Sequence, residues 1–322
     1  MRSTYRFLWV AGLLAISVQS AGSQTWPTRP IHAVVPVGAG STTDIVPRVV
    51  FEQLSSQLGQ PIVIENRGGA GGTIGSALVA KADPDGYTIL VHSSAHAISS
   101  SFYPNLGYHP TRDFAAVVSL GTSPNVLVVP PSSPFRTARD LVAAAKAKPG
   151  ALNFSSVGIG TATHLSAERF ILSADIQAMH VPFKGGAEAM LEVVAGRIDF
   201  FFGPVGLVRP QLRDGRLRAL AVNGAQRAAA LPDVPTTLEA GFVDAEYPIW
   251  FGIFVPARTP REIIATLHRE ATAALNAPMV KARLAELGVE PMPLTPNEFH
   301  AQVEREVAVN AALVKAGNLK AE

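Results

Sequence analysis

Short runs rich in valine, isoleucine and phenylalanine alternate with segments whose apolar residues recur every three or four positions, from about residue 31 to the C-terminal end. The first pattern suits strands and the second suits helices laid on a sheet, so their alternation predicts an α/β fold with parallel sheets rather than a sandwich or a bundle. Strands are predicted at Ile31–Pro36, Ile62–Glu65, Thr88–His92, Val126–Val129, Asn153–Ser155, Ala178–Val181, Asp199–Phe202, Arg218–Val222 and Trp250–Val255. Helices are predicted at Thr43–Leu58, Thr73–Ala80, Ala138–Lys148, His164–Ser173, Ala187–Ala195, Pro260–Leu275, Pro278–Leu287 and Pro296–Ala316. The first of these places Val46, Val49, Val50 and Leu54 on one face, and several begin at Pro or Thr and end near Gly or Asn.

Two stretches can carry the chain between domains. Ser123–Pro134 ends a hydrophobic run in Pro130-Pro131-Ser132-Ser133-Pro134, and Leu231–Pro256 is rich in proline and aromatics. If the chain leaves and returns there, one domain comprises residues 24–124 and 249–322, the other residues 125–248, and two crossover strands form a hinge beneath a cleft. A chain of this size also exceeds what one core usually organises, roughly 250–300 residues.

The N-terminus has the order of an export signal: Arg2 and Arg6, an apolar run from Phe7 to Val18, then Ala21-Gly22-Ser23, with cleavage expected after Ser23. The run is too short to span a bilayer. This changes the charge reading. Of 27 basic and 25 acidic residues, the segment removes two arginines and no acid, leaving 25 of each. A neutral chain has no electrostatic footprint for nucleic acid.

Candidate chemistry lies in loops that join a strand to a helix, because ligands of open parallel sheets collect at the carboxyl ends of strands. Val37-Gly38-Ala39-Gly40-Ser41-Thr42 leads into a helix that Thr43 or Asp44 would cap. Small side chains there leave N–H groups open, and a helix N-terminus favours an anionic carboxylate. The bland alternative is a tight turn with an N-cap. Ser156-Val157-Gly158-Ile159-Gly160-Thr161, ahead of His164, mirrors that loop in the other half. Two such starts can hold the two ends of a dianion. Ser93, Ser94 and His96 offer hydroxyls and an imidazole, and Phe183-Lys184 offers a cation that could equally be a solvated charge; Gly203 ends a strand facing the same cleft.

Enzymatic motifs are wanting. Gly158-x-Gly160 is followed by Thr163, and Gly69-x-Gly71 by Ile74, so neither is a G-x-G-x-x-G fingerprint; there is no phosphate loop and no G-x-S-x-G elbow. The chain has no cysteine, which excludes thiol catalysis and disulfides. His92, His96, His164 and His180 fall on separate segments without metal-ligand spacing. No cofactor or metal is expected. A hydrolase or isomerase using His96 or His164 is the enzymatic alternative.

Several segments resemble the Bug (Bordetella uptake gene) family, the TctC-like receptors of tripartite tricarboxylate transporters. They are Leu58-Gly59-Gln60-Pro61-Ile62-Val63-Ile64-Glu65-Asn66-Arg67, Gly68-Gly69-Ala70-Gly71-Gly72-Thr73-Ile74-Gly75 and Asp83-Pro84-Asp85-Gly86-Tyr87-Thr88, then His180-Val181-Pro182-Phe183-Lys184-Gly185-Gly186, Leu231-Pro232-Asp233-Val234-Pro235-Thr236 and Trp250-Phe251-Gly252. The resemblance implies a two-domain periplasmic binding protein fold, type II-like. It implies a small organic acid or a related polar solute held in the cleft and passed to membrane transporter subunits; a monomer is expected, and because closure serves either role, a sensor that docks on a membrane signalling protein is the alternative. It further implies ligand contacts from the first loop and from Gly158–His164 through backbone N–H groups and hydroxyls. The first loop departs from the pattern: Val37, Gly38, Ala39 and Ser41 stand where Phe-Pro-Pro and a second Gly often occur. Phe183 replaces a frequent Tyr, losing a hydroxyl.

Overall fold

The computed structural model describes residues 26–103, 105–317 and 319, so the export segment lies outside the described residues. The chain starts with β1 (Ile31–Val35), α1 (Thr42–Leu58), β2 (Ile62–Asn66), α2 (Thr73–Ala80), β3 (Thr88–Ser93), α3 (Ala95–Phe102) and β4 (Phe114–Ser123). It then forms β5 (Asn125–Val129), α4 (Ala138–Ala147), β6 (Asn153–Ser156), α5 (Ala162–Ala174), β7 (Met179–Pro182), α6 (Gly186–Val194), β8 (Phe200–Pro204), α7 (Val205–Arg213) and β9 (Arg218–Val222). β10 (Ile249–Pro256), α8 (Arg261–Asn276), α9 (Pro278–Glu286) and α10 (Pro296–Ala316) close the chain.

These elements build two five-stranded sheets of matching design, ordered β2-β1-β3-β10-β4 and β7-β6-β8-β5-β9. In the first, β1 runs parallel to β2 and β3 while β10 is antiparallel to β3 and β4. In the second, β6 runs parallel to β7 and β8 while β5 is antiparallel to β8 and β9. Each sheet is covered on both faces. Val46, Val49, Val50 and Leu54 of α1 meet Ile31, Ala33 and Val35 on one side of the first sheet, and Val34, Leu90, Trp250 and Phe254 meet Phe299 of α10 on the other. In the second lobe Phe154, Phe200 and Phe202 pack under Leu141 and Phe170, and Val126, Val128 and Phe201 under Val193 and Val208.

Three elements escape the sequence pattern. β4 reads Phe-Ala-Ala-Val-Val-Ser-Leu-Gly-Thr-Ser and is buried on both faces, so it shows no alternation, and only Pro124 separates it from β5. α7 contains Pro210 and follows Pro204, both of which read as breakers. Ser93–His96 is not a loop: it is the last residue of β3 and the first turn of α3, whose three consecutive serines hide its helical period.

The lobes join where β4 passes into β5 and where the chain returns to β10, and this junction is a buried polar network in which Asn125 Oδ1 is left unpartnered. Asn125 N–H donates to Asn223 Oδ1 (2.6 Å) and Asn223 N–H to the Asn125 carbonyl (2.9 Å). The Asn125 and Asn223 amides both donate to Ser166 Oγ (2.7 and 2.9 Å), and Ser166 donates to the Tyr247 carbonyl (3.2 Å). Asn125, Ser166 and Asn223 are fully buried. A second contact between the lobes has no side chains: a Cβ on Gly206 would sit 2.6 Å from the Leu287 carbonyl oxygen, and one on Gly288 2.6 Å from Val205 Cβ.

Asn223→Ala leaves the buried Asn125 N–H without its acceptor, which costs ~1–3 kcal/mol, and removes one of two donors from each of Ser166 Oγ and the Tyr247 carbonyl. Its urea midpoint is expected to fall by several kcal/mol's worth while Asn66→Ala, at a partly exposed site, loses less. Equal losses for the two variants would mean that the junction carries no special weight.

Candidate functional site

The first glycine loop is braced by its own helix. Ser41, not Thr43 or Asp44, is the N-cap of α1, and its side chain makes no capping bond. Asp44 instead turns back into the loop. Its Oδ2 accepts from Gly40 N–H (2.8 Å), and its Oδ1 from Arg48 Nη2 (2.8 Å) and Asn66 Nδ2 (2.9 Å). Asn66 also donates to the Val37 carbonyl (3.1 Å). Burial acts to raise the Asp44 carboxyl, but these hydrogen bonds outweigh it and hold the group below the usual carboxylate range. Asp44, a candidate ligand contact in the sequence, has its carboxylate occupied in building the loop. Gly38, Ala39 and Gly40 are exposed, and Val37, Ser41 and Thr42 are partly so.

His96 is placed away from the loops' open donors. Its Nε2 is 2.9 Å from the Pro110 carbonyl, and its ring sits among Phe114, Phe254 and Tyr108, fully buried. Helix geometry turns it into the core of lobe one. Burial lowers its proton affinity to about 4, against a smaller opposing effect of the Pro110 bond, and burial, then neighbouring His96, pushes His92 well below its ordinary value. Ser93 and Ser94 are buried at the end of β3, with Ser94 Oγ unpartnered.

In lobe two the glycine loop is tied down more tightly. Thr161 caps α5: its hydroxyl accepts from His164 N–H (3.4 Å) and donates to the Gly158 carbonyl (2.7 Å). Gly160 N–H donates to His164 Nδ1 (3.2 Å), whose Nε2 faces Glu168 Oε1 at 3.5 Å. His164 is buried and its Nδ1 braces the loop through Gly160. Gly160 adopts φ +71°, and a Cβ there would be 3.3 Å from Phe102 of lobe one.

Sequence reasoning missed His180 as part of this loop. The ring stacks on His164 (centroids 4.0 Å apart) and on Phe154 (4.8 Å), and its Nε2 is 2.6 Å from Ser156 Oγ. Burial, then the adjacent His164, lowers it to about 3. The signal was present in β7: strand pairing sets His180 beside Phe154, which only tertiary register reveals. Phe183 N–H donates to the Ser156 carbonyl (3.0 Å) and its side chain packs with Val157 and Leu207. Lys184 is exposed and has no ion pair among the described residues. Gly203 is buried in β8, where Phe201 and Val208 would meet any side chain at 2.5 and 2.6 Å, so close packing requires glycine there.

The loops converge on one apolar floor. Ile98 and Phe102 of α3 and Ala162 and Leu165 of α5 belong to a single cluster, against which Val37 and Ile159 also pack. Above it the hydrogen-bond inventory is incomplete. Gly40, Gly158 and Gly160 N–H groups are consumed inside their loops, but those of Thr42 and Thr43, and of Ile159, Ala162 and Thr163, have no partner among the described residues. Ser41 Oγ is also closed off and unpartnered. Two helix starts with spare donors and partial positive charge, over an apolar floor, can hold carboxylate groups and a short hydrocarbon. No group of His, Asp or Glu suited to a metal ion is present among the described residues.

Residues 46–319 match the family described as the tripartite tricarboxylate transporter family receptor. The chain belongs to this family. A Pseudomonas sp. (strain P51) protein, "UPF0065 protein in tcbD-tcbE intergenic region", is 40% identical over 286 residues, which is 87% of this chain and 85% of that protein. Among solved structures, R. palustris Rpa4515 with adipate is 34% identical with a TM-score of 0.84, covering 92% of this chain and 99% of that one. MatC (Rpa3494) from Rhodopseudomonas palustris with bound malate is 31% identical with a TM-score of 0.81, covering 90% and 100%. The family is one of solute-binding receptors, and this receptor has the same α/β two-lobed fold. No helix among the described residues is long and apolar enough to cross a membrane.

Three of the receptor's histidines bind protons less readily folded than their ordinary value of 6.5. Below that pH the unfolded chain takes up more protons, so stability is complete above about pH 6.5 and falls as pH drops toward 4. For His96 the difference between 6.5 and about 4 amounts to about 3 kcal/mol. Urea midpoints of His96→Phe, measured from pH 7.5 to 4, are expected to decline less steeply than those of the parent; parallel curves would mean that His96 is not held neutral.

Proposed function

We propose that this receptor captures a small carboxylate between its lobes outside the cytoplasmic membrane and presents it to the membrane subunits of a tripartite tricarboxylate-type transporter. The reading rests above all on the two helix starts, α1 and α5, where the N–H groups of Thr42, Thr43, Ala162 and Thr163 have no partner among the described residues. Arg48 is committed to Asp44, and Lys184 is exposed. Backbone donors and dipoles therefore supply the attraction for an anion. Adipate and malate, the ligands of two similar receptors, are both short dicarboxylates. The apolar Val37, Ile159 and Phe102 favour the less polar of such acids, including aromatic ones.

In this proposal residues 24–124 with 249–322 move as one body and residues 125–248 as the other, hinged at the Asn125–Asn223 junction. Closure converts binding into a shape that a membrane partner reads, and a signalling partner could read the same shape. The export signal ends at Ser23, so the mature protein of the periplasmic fraction should begin at Gln24 by intact mass. A mass retaining residues 1–23 would remove the periplasmic assignment.

An enzymatic reading has one observation behind it, the 2.6 Å contact of Ser156 Oγ with His180 Nε2, which has the spacing of a nucleophile and base. Ser156 is fully buried, however, and its hydroxyl is held by Gly158. No carboxylate among the described residues orients His180 as a third member would.

Thermal-shift and calorimetric titration with adipate, malate, benzoate and a neutral sugar should show stabilisation by at least one acid and none by the sugar. Thr161→Val, which removes the α5 cap, should bind the same acid more weakly and lose about 1 kcal/mol of stability. Stabilisation by the sugar alone would overturn the carboxylate assignment.

A further inference from the structure

We infer that His180 is a positioning residue of the ligand loop, acting through the hydroxyl of Ser156 on the Gly158 peptide. The inference rests on the proposed carboxylate site. Phe200, Phe154 and His180 stand side by side on adjacent strands β8, β6 and β7, and His164 of α5 completes the stack. The ladder fixes the plane of the His180 ring, and with it the position of Nε2 at the foot of the glycine loop.

Ser156 has one hydroxyl proton and two acceptors to choose from: His180 Nε2 at 2.6 Å and the Gly158 carbonyl at 3.1 Å. The Gly158 carbonyl already accepts from the Thr161 hydroxyl at 2.7 Å. The contact with His180 is the shorter by half an ångström, so the proton goes to His180, whose neutral ring accepts at Nε2 and carries its own hydrogen on Nδ1. With the hydroxyl turned that way, the Ser156 lone pairs face Gly158 N–H, which donates to them at 3.1 Å. Gly158 sits at φ +121°, a conformation with little local preference to hold it, so the bond from Ser156 selects the orientation of the peptide. That bond fixes the Val157–Gly158 peptide on one side of the Gly158 Cα, while Thr161 holds the Gly158 carbonyl on the other, and between them the N–H of Ile159 stays unspent inside the loop. His180 thus never touches the ligand, yet it steadies the strand-side end of the loop that presents this donor.

The experiment uses the mature receptor and three variants. His180→Phe keeps a ring in the ladder and removes the acceptor; Ser156→Ala removes the hydroxyl; His180→Gln restores an acceptor at about the reach of Nε2. In the ligand-free protein, nitrogen NMR should find His180 neutral with its proton on Nδ1, and Gly158 amide exchange should quicken in His180→Phe and Ser156→Ala. Both variants should bind adipate about tenfold more weakly, the worth of one hydrogen bond, with His180→Gln recovering most of that loss. The double variant should be no weaker than either single one. An Nδ1 without its proton, or a Gly158 amide whose exchange ignores His180→Phe, overturns the inference. Failure of the unaltered receptor to bind adipate, malate or benzoate would instead remove the site reading, and the ligand-free NMR and exchange results would still judge His180.

Discussion

The two lobes meet in a buried polar junction that cannot be slightly wrong. Asn125 and Asn223 exchange backbone and side-chain hydrogen bonds at the points where the chain enters and leaves lobe two, and Ser166 and the Tyr247 carbonyl complete the set. In an interior without water each of these groups costs free energy if left alone, so the crossing strands are held in one register. β4 runs into β5 with Pro124 alone between them, and Ile249 of β10 pairs with Ser123. The arrangement keeps both connections short and close together. Such a pair of connections permits rotation of the lobes about them while opposing shear.

The same rule of satisfying buried polar groups shapes the two glycine loops, with a different result. In lobe one Asp44, Arg48 and Asn66 hold the loop by charge-assisted bonds; in lobe two Ser156, Thr161, Thr163 and two stacked histidines hold it by neutral ones. Each set consumes some backbone donors and leaves others. Glycine supplies the backbone freedom, while the side chains decide which peptides remain available. The residues that mark a site to the eye, Gly158 and Gly160, are those whose N–H groups are already spent.

His92, His96, His164 and His180 illustrate how little a residue type says about its task. All four carry the chemistry of ligands and bases, and all four serve packing or loop geometry. His96 fills an aromatic core, and His164 and His180 extend a ladder of phenyl rings. Burial disfavours the charged forms of His92, His96 and His180, and a neutral imidazole offers one donor and one acceptor where a phenylalanine would offer none.

Sequence periodicity determined the parallel strands, the helix face of Val46, Val49, Val50 and Leu54, and the position of both glycine loops at strand ends, because these depend on local pattern and on backbone freedom. Matching motifs along the chain carried the family. It could not reveal β4, whose two faces are both covered, or α7, whose prolines sit where a helix tolerates them only in this packing. Nor could it separate Asp44 and His96 from a ligand, since what a carboxylate or imidazole binds depends on which neighbours the fold brings within about 3 Å. Tertiary structure alone decided that Asn66 reaches Asp44, that β7 registers against β6 to place His180 under Ser156, and that Phe102 of one lobe closes on Gly160 of the other. Those are contacts between residues distant in sequence, and no local pattern encodes the distance between them.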